Sequence, residues 1–139
     1  MTPTGRIMAL DYGEKRIGVA LSDPLRIFAK PYQVISNTSP EDVLESVNEL
    51  ISAQAVSLVL VGMPWAIDGS ETPKTTETKA FATWLSAALA VPVELQDERY
   101  STCEAEAELK KLGYSWQEAR NLKDAMAACI FLKEYLSTL

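Results

Sequence analysis

The sequence predicts an α/β domain built on a mixed sheet, and three observations carry that prediction. Ile7-Met8-Ala9-Leu10 and Ser57-Leu58-Val59-Leu60-Val61-Gly62 are continuous apolar runs, too short for helices and without polar alternation, so they suit central strands covered on both faces. One amphipathic helical pattern lies between them, which makes their connection a right-handed crossover and the two strands parallel. Residues 6–36 hold three extended stretches joined by tight turns, which is an antiparallel meander.

In chain order, the first strand ends near Asp11, and Gly13-Glu14-Lys15 turns the chain into a returning strand over Arg16–Ser22. Arg26 to Ser36 is a third extended stretch, with Pro31 marking an edge or a bulge. Ser39-Pro40-Glu41-Asp42 supplies an N-cap serine, a proline at the first helical position and an acidic first turn, and Val43, Leu44, Val47, Leu50 and Ile51 follow at helical spacing. After the second apolar strand, residues 62–70 form a loop rich in glycine and proline, then a helix opens near Thr72-Pro73 and is expected to bury Phe81, Trp84, Leu85, Ala88 and Leu89. Val91 to Gln96 is a short fifth strand. Ser101-Thr102-Cys103-Glu104 has the form of a capping box opening a helix to about Leu112, which Gly113 stops. Asn121-Leu122-Lys123-Asp124 repeats the N-cap-plus-acid signature and predicts a last helix to about Ser137.

The 139 residues, 47% hydrophobic and 23% charged, describe one domain over residues 1–139 with a substantial core. No apolar run approaches the roughly 20 residues a membrane helix requires, and no signal-peptide pattern opens the chain, so a cytoplasmic protein with no membrane partner is expected. There is no histidine. That removes Ser-His and Cys-His nucleophile pairs and the histidine-containing zinc motifs, and Cys103 and Cys129 lack metal-ligand spacing and read as reduced core fillers. Chemistry must therefore rest on carboxylates, lysines, hydroxyls or a hard metal ion. The net charge of -6 weighs against nucleic acid as a partner unless local basic groups do the steering.

Three carboxylates are placed to meet at one end of the sheet. Asp11 ends the first strand and Glu98 follows the fifth, both at carboxyl ends if those strands are parallel. Asp124 falls in the predicted first turn of the last helix, where Ala125, Ala127 and Ala128 permit a close approach to the sheet. Acids from separate segments, with no histidine, are the hard-oxygen donor set that Mg²⁺ or Mn²⁺ takes. Taken singly, Asp11 also reads as a turn cap, Glu98 as an ion-pair partner and Asp124 as a charge at a helix N-terminus.

The segments Leu10-Asp11-Tyr12-Gly13-Glu14-Lys15-Arg16-Ile17-Gly18-Val19-Ala20, Gly62-Met63-Pro64 with Asp68-Gly69, Asp97-Glu98-Arg99-Tyr100-Ser101-Thr102 and Lys123-Asp124-Ala125 with Ala127-Ala128 together resemble the YqgF/RuvX family of pre-16S ribosomal RNA nucleases. The motifs occur in order and span nearly the whole chain. The resemblance implies a ribonuclease H-like fold with sheet order 3-2-1-4-5, a divalent-metal nuclease, and Asp11, Glu98 and Asp124 as its catalytic and metal-binding acids. One departure is Ala66, where the family's loop carries Asn. Asp68 before Gly69 reads as turn chemistry in the supporting loop of Gly13, Gly62 and Pro64.

The implied mechanism is two-metal hydrolysis of a phosphodiester, with Asp11 anchoring the ions and Glu98 and Asp124 each holding one. Lys15, Arg16, Arg99 and Lys123 are the expected nucleic-acid contacts, with Lys74, Lys79 and Arg120 also toward the same rim. Precursor 16S rRNA is the preferred substrate and junction DNA the alternative. Symmetric junction cleavage needs a two-fold dimer, and because each helix has only one apolar stripe, a monomer is expected, with a weak homodimer as the alternative; Tyr114 and Trp116, before the last helix, offer either a small contact or a base-stacking platform. Actin-like and sugar-kinase folds share the opening strand and D-x-G but require a second lobe, and a non-catalytic nucleic-acid adaptor has no reason to gather the acids.

Overall fold

The computed structural model describes residues 5–98 and 111–139, except for the side chains at 116, 117 and 119–121. Strands β1 (Arg6–Tyr12), β2 (Arg16–Ser22) and β3 (Ala29–Ser36) form the meander, helix α1 (Pro40–Ala53) crosses to β4 (Val56–Met63), and helix α2 (Pro73–Ala88) crosses to β5 (Val93–Asp97). Helix α3 (Trp116–Leu136) closes the chain. The sheet order is β3-β2-β1-β4-β5, with β1, β4 and β5 mutually parallel and the meander antiparallel. The predicted order and the mixed sheet are both present.

Alternation along the strands divides the core in two. Met8, Leu10, Val19, Leu21, Val59 and Val61 pack under α1 and α2 with Val43, Val47, Phe81 and Leu85. Ile7, Ala9, Ala20, Leu58 and Leu60 pack under α3 with Met126 to Leu132. Buried Cys129 belongs to this second cluster, as expected of a core filler, while Cys103 lies outside the described residues.

Several boundaries move. Asp11 lies within β1 rather than at its exit, because β1 keeps pairing with β2 as far as Tyr12↔Ile17. The third strand starts at Ala29, since Asp23 accepts the backbone N–H groups of Ile27 and Phe28 at 2.7 Å each and folds residues 23–28 into a turn. Trp84 is half-buried and Ala88 exposed, so the apolar stripe of α2 is narrower than expected. The largest shift is in α3. Its N-cap is Ser115, whose hydroxyl accepts from Glu118 N–H at 3.2 Å while the Glu118 carboxylate accepts from Ser115 N–H at 3.3 Å, a capping box that starts the helix before Asn121. Asp124 is consequently an interior residue of the helix, beyond the reach of the unpaired N–H groups of the first turn. The helix predicted over residues 101–112 falls almost wholly outside the described residues; Lys111 is helical, and Gly113 (φ 85°) follows in the left-handed stop conformation.

Candidate active site

Asp11 shares its face of β1 with Ile7 and Ala9, so it points to the side covered by α3. Its register partner on β2 is Gly18, and at that position α3 crosses the sheet almost backbone to backbone: a Cβ built on Gly18 would lie 2.1 Å from the Asp124 carbonyl carbon and oxygen. A strand-interior glycine is the signal of such an approach. It sets Asp124 beside Asp11 without any cap at the helix start.

Glu98 reaches the same place from the other flank. β4 and β5 run parallel to Met63↔Asp97, after which Glu98 N–H donates to the Met63 carbonyl at 3.2 Å. Its carboxyl then lies across Gly62, where a Cβ would stand 2.8 Å from Glu98 Cδ and 2.6 Å from Phe131 Cε2. Only a residue without a side chain lets the acid and the ring share that space.

Asp11 and Glu98 are 8% and 9% exposed, and their carboxyls lie within hydrogen-bond reach of each other, an arrangement that requires a proton on one of them. Burial is the main reason both titrate high. It pushes Asp11 from 3.8 to about 6, against the opposing pull of the Glu98 hydrogen bond and of Lys74, with Asp124 adding repulsion and Lys123 attraction. Burial, then the Asp11 charge and the hydrogen bond with Asp11, push Glu98 to about 10, again opposed by Lys74. Asp124 is half-buried and turned to Arg16, whose Nε stands 3.4 Å from Asp124 Oδ2. Among the described residues, no three acidic or cysteine side chains close on one point as a ready metal-binding group. The arrangement is a buried acid pair with a third acid beside it, held by a guanidinium. Two carboxyls kept out of water and sharing one proton are hard-oxygen donors of the kind a divalent cation takes.

The remaining predicted residues divide by role. Lys123 is half-buried and its charge reaches Asp11; Lys15 is exposed in the turn, its carbonyl accepting from Asn37 N–H at 2.9 Å; Arg99 lies outside the described residues. Arg16, expected as a nucleic-acid contact, is engaged by Asp124. Gly13 keeps the first turn low, its carbonyl accepting from Asn37 Nδ2 at 2.9 Å. Asp68 and Gly69 (φ 87°) are turn residues as expected, the Asp68 carboxylate accepting from Ser70 N–H at 2.9 Å and from its hydroxyl at 2.7 Å. Pro64 is tied to α2 through Thr75, whose buried hydroxyl donates to the Pro64 carbonyl at 3.0 Å. Ala66 enters the turn through its backbone, its N–H donating to the Ser70 carbonyl at 2.9 Å and its carbonyl accepting from Gly69 N–H at 2.7 Å. Lys79 pairs with Glu71. Lys74, in the first turn of α2, is a cation felt by both buried acids.

A family model described as RuvX: Holliday junction resolvase matches residues 5–138. Proteins named "Putative pre-16S rRNA nuclease" from Halothermothrix orenii and Pelotomaculum thermopropionicum are each 42% identical, over 132 and 134 residues, which is 95% and 96% of this chain and 94% and 87% of theirs. Two solved structures have the same fold at low identity. They are T. thermophilus RuvC in complex with Holliday junction substrate (TM-score 0.56, 17% identity, 96% of this chain and 94% of that one) and the fowlpox virus resolvase with substrate Holliday junction DNA (TM-score 0.56, 12% identity, 96% and 97%). The sheet order and this likeness make the fold ribonuclease H-like.

Proposed function

The chain belongs to the RuvX family, and from that membership and the buried Asp11–Glu98 pair we propose that it is a metal-dependent nuclease, hydrolysing phosphodiester bonds to process the 5′ end of pre-16S rRNA in the cytoplasm. The observation that carries the reading is the acid pair at the carboxyl rim of parallel strands. Two carboxyls buried together cost stability unless something positive joins them, and a site of that kind is kept for chemistry. Asp11 and Glu98 would hold Mg²⁺ or Mn²⁺ with Asp124 as the third acid, and the bound ion supplies charge neutralisation of the scissile phosphate and a lowered pKa for attacking water. The chain's own residues do the rest. Gly18 and Gly62 fix the acids against rigid backbone, Glu98 would have to lose its proton to serve as a ligand, and Lys74 and Lys123 keep the rim attractive to a polyanion despite the net charge of -6. The Arg16 side chain is 60% exposed, so it can leave Asp124 and meet a phosphate as the third acid turns to the cation.

Asp11→Asn keeps the size and removes the charge. It is expected to abolish Mg²⁺- or Mn²⁺-dependent cleavage of a labelled precursor-16S 5′ fragment while circular dichroism and sizing stay those of the wild type. Full cleavage by that variant, or by the wild type in excess chelator, refutes the reading.

One observation favours junction DNA as a second reading. Leu25, Ile27 and Phe28 are 72%, 60% and 73% exposed at the opposite rim, an apolar cluster that the reading of one apolar stripe per helix did not foresee, and apolar surface of this kind is what a two-fold dimer uses. A synthetic four-way junction in the same assay, with sizing of the protein, decides between them. Paired nicks by a stable dimer, with the RNA uncut, select the junction.

A further inference from the structure

Over the rim from the acids, on the α1–α2 face of the sheet, lies an open cavity of about 470 Å³ that the acid chemistry does not use. Tyr12, next in sequence to Asp11, forms its floor with Phe81 and Trp84: the Tyr12 and Phe81 rings are 4.4 Å apart at 30°, and those of Phe81 and Trp84 6.1 Å apart at 38°. Phe81 is buried, whereas Tyr12 and Trp84 are half-buried and present ring surface to the opening. The mouth carries Glu14, Asn37 and Glu77. The Asn37 amide nitrogen donates one of its two hydrogens to the Gly13 carbonyl, which holds the amide at the cavity edge. Glu14 and Glu77 bring two carboxylate acceptors to the lining, beside the Asn37 amide, the Tyr12 hydroxyl and the Trp84 indole N–H, and none of the described lining residues is a lysine or arginine.

We propose that this aromatic cavity takes one unstacked nucleobase bearing an exocyclic amine, from a single-stranded RNA whose neighbouring phosphate lies at the acid pair. The volume falls within the range of small-ligand sites, about 300–1,000 Å³. The occupant's chemistry follows from the lining. Two carboxylates repel a phosphate or a carboxylate ligand, aromatic walls stack on a base, and the same two carboxylate acceptors favour the amino groups of adenine, cytosine and guanine over the carbonyl-rich edge of uracil. The adjacency of Asp11 and Tyr12 on one strand, with side chains on opposite faces, puts the base on one side of the rim and the backbone on the other. The strand then passes over the low turn at Gly13. A base in this position must leave its stack, so the cavity selects unpaired RNA over duplex.

The proposal rests on the nuclease reading for its substrate, but it is tested by binding, apart from cleavage. Fluorescence anisotropy in chelator would compare end-labelled oligoadenylate, oligocytidylate and oligouridylate of equal length on the wild type, Trp84→Ala, Glu77→Gln and Glu14→Gln, each first shown to be folded by circular dichroism. The wild type is expected to bind the adenylate and cytidylate several-fold more tightly than the uridylate. Trp84→Ala should weaken the tighter pair by about 5- to 100-fold, the range of one lost stacking platform. Glu77→Gln and Glu14→Gln, at exposed positions with little bearing on the fold, should narrow the preference with a smaller loss of affinity. Equal binding of all three oligonucleotides, no binding by the wild type, or variants that match it overturns the proposal. A base preference in a protein that never cleaves RNA leaves the cavity standing and removes the nuclease reading; cleavage without a base preference does the reverse.

Discussion

Under α1 and α2 the sheet presents Met8, Leu10, Val19 and Leu21 to Phe81 and Leu85, large side chains meeting large side chains, whereas under α3 it adds to Ile7, Leu58 and Leu60 a strip of small residues, Ala9, Gly18, Ala20 and Gly62, facing a helix that carries Ala125, Ala127 and Ala128. Both faces exclude water, but they set different distances. Interlocking bulky side chains keep the helices off the backbone of the strands they cover, a separation that fixes a core. A seam of glycine and alanine lets α3 descend until its backbone touches β2, and at the point of contact Asp124 is carried to the level of Asp11. The acid-bearing face is the one that carries the strip of small residues, and Asp124 stands beside the Asp11–Glu98 pair because of it.

The comparison breaks most completely at Gly18. In Gly18→Leu the new side chain collides with backbone atoms of α3 that cannot rotate away, so the helix must lift. Cleavage is expected to be lost, with stability falling by about 3 kcal/mol or more, at the upper end for overpacking. Denaturant unfolding and the oligonucleotide assay check both. The opposite face should behave in the opposite way. Leu85→Ala opens a cavity among large side chains and is expected to cost about 2–5 kcal/mol while leaving cleavage per folded molecule unchanged, because no acid depends on that spacing. A Leu85→Ala protein that stays folded yet fails to cleave would remove the distinction between the faces.

The parts of this account that were legible in the sequence are those with short-range signatures. Continuous apolar runs marked β1 and β4, turn residues marked the meander, and Ser39 and Thr72 marked the starts of α1 and α2, whose caps are in place. That Asp11 and Glu98 come to one end of the sheet followed from strand direction. The start of α3 did not, because residues 115–124 hold two capping signatures in succession and the local pattern does not say which one the fold uses; Ser115 and Glu118 close on each other and extend the helix past Asn121. The seating of Asp124 on Gly18 and its pairing with Arg16, 108 residues away in sequence, were equally out of reach, being products of tertiary packing. A glycine inside an apolar strand was the available clue to the first; nothing local pointed to the second.

The smallest effect is expected at the rim farthest from the acids. Backbone N–H groups of Phe28 and Ile27 hold the Asp23 carboxyl below its ordinary 3.8. A lowered acid contributes stability that is present above its ordinary pKa and lost as pH falls through the folded value, so Asp23→Ala should flatten the acid limb of the stability profile and leave cleavage untouched. Thermal unfolding midpoints of the two proteins across the acid range read this directly.

Asp11 carries the opposite sign, and with it the most direct test. A raised acid contributes stability that is fully present below 3.8 and lost as pH rises through about 6, so near neutral pH the metal-free wild type forgoes up to about 3 kcal/mol that Asp11→Asn retains. The deciding measurement is the unfolding midpoint of wild type and Asp11→Asn at neutral pH, first in chelator and then with Mg²⁺ or Mn²⁺, against a monovalent salt control of equal ionic strength. In chelator the variant should be the more stable protein, and the divalent ion should raise the wild type and leave the variant where it was, closing the gap. A wild type indifferent to the divalent ion, or a variant that gains as much as the wild type does, contradicts the assignment of the buried acids to a cation.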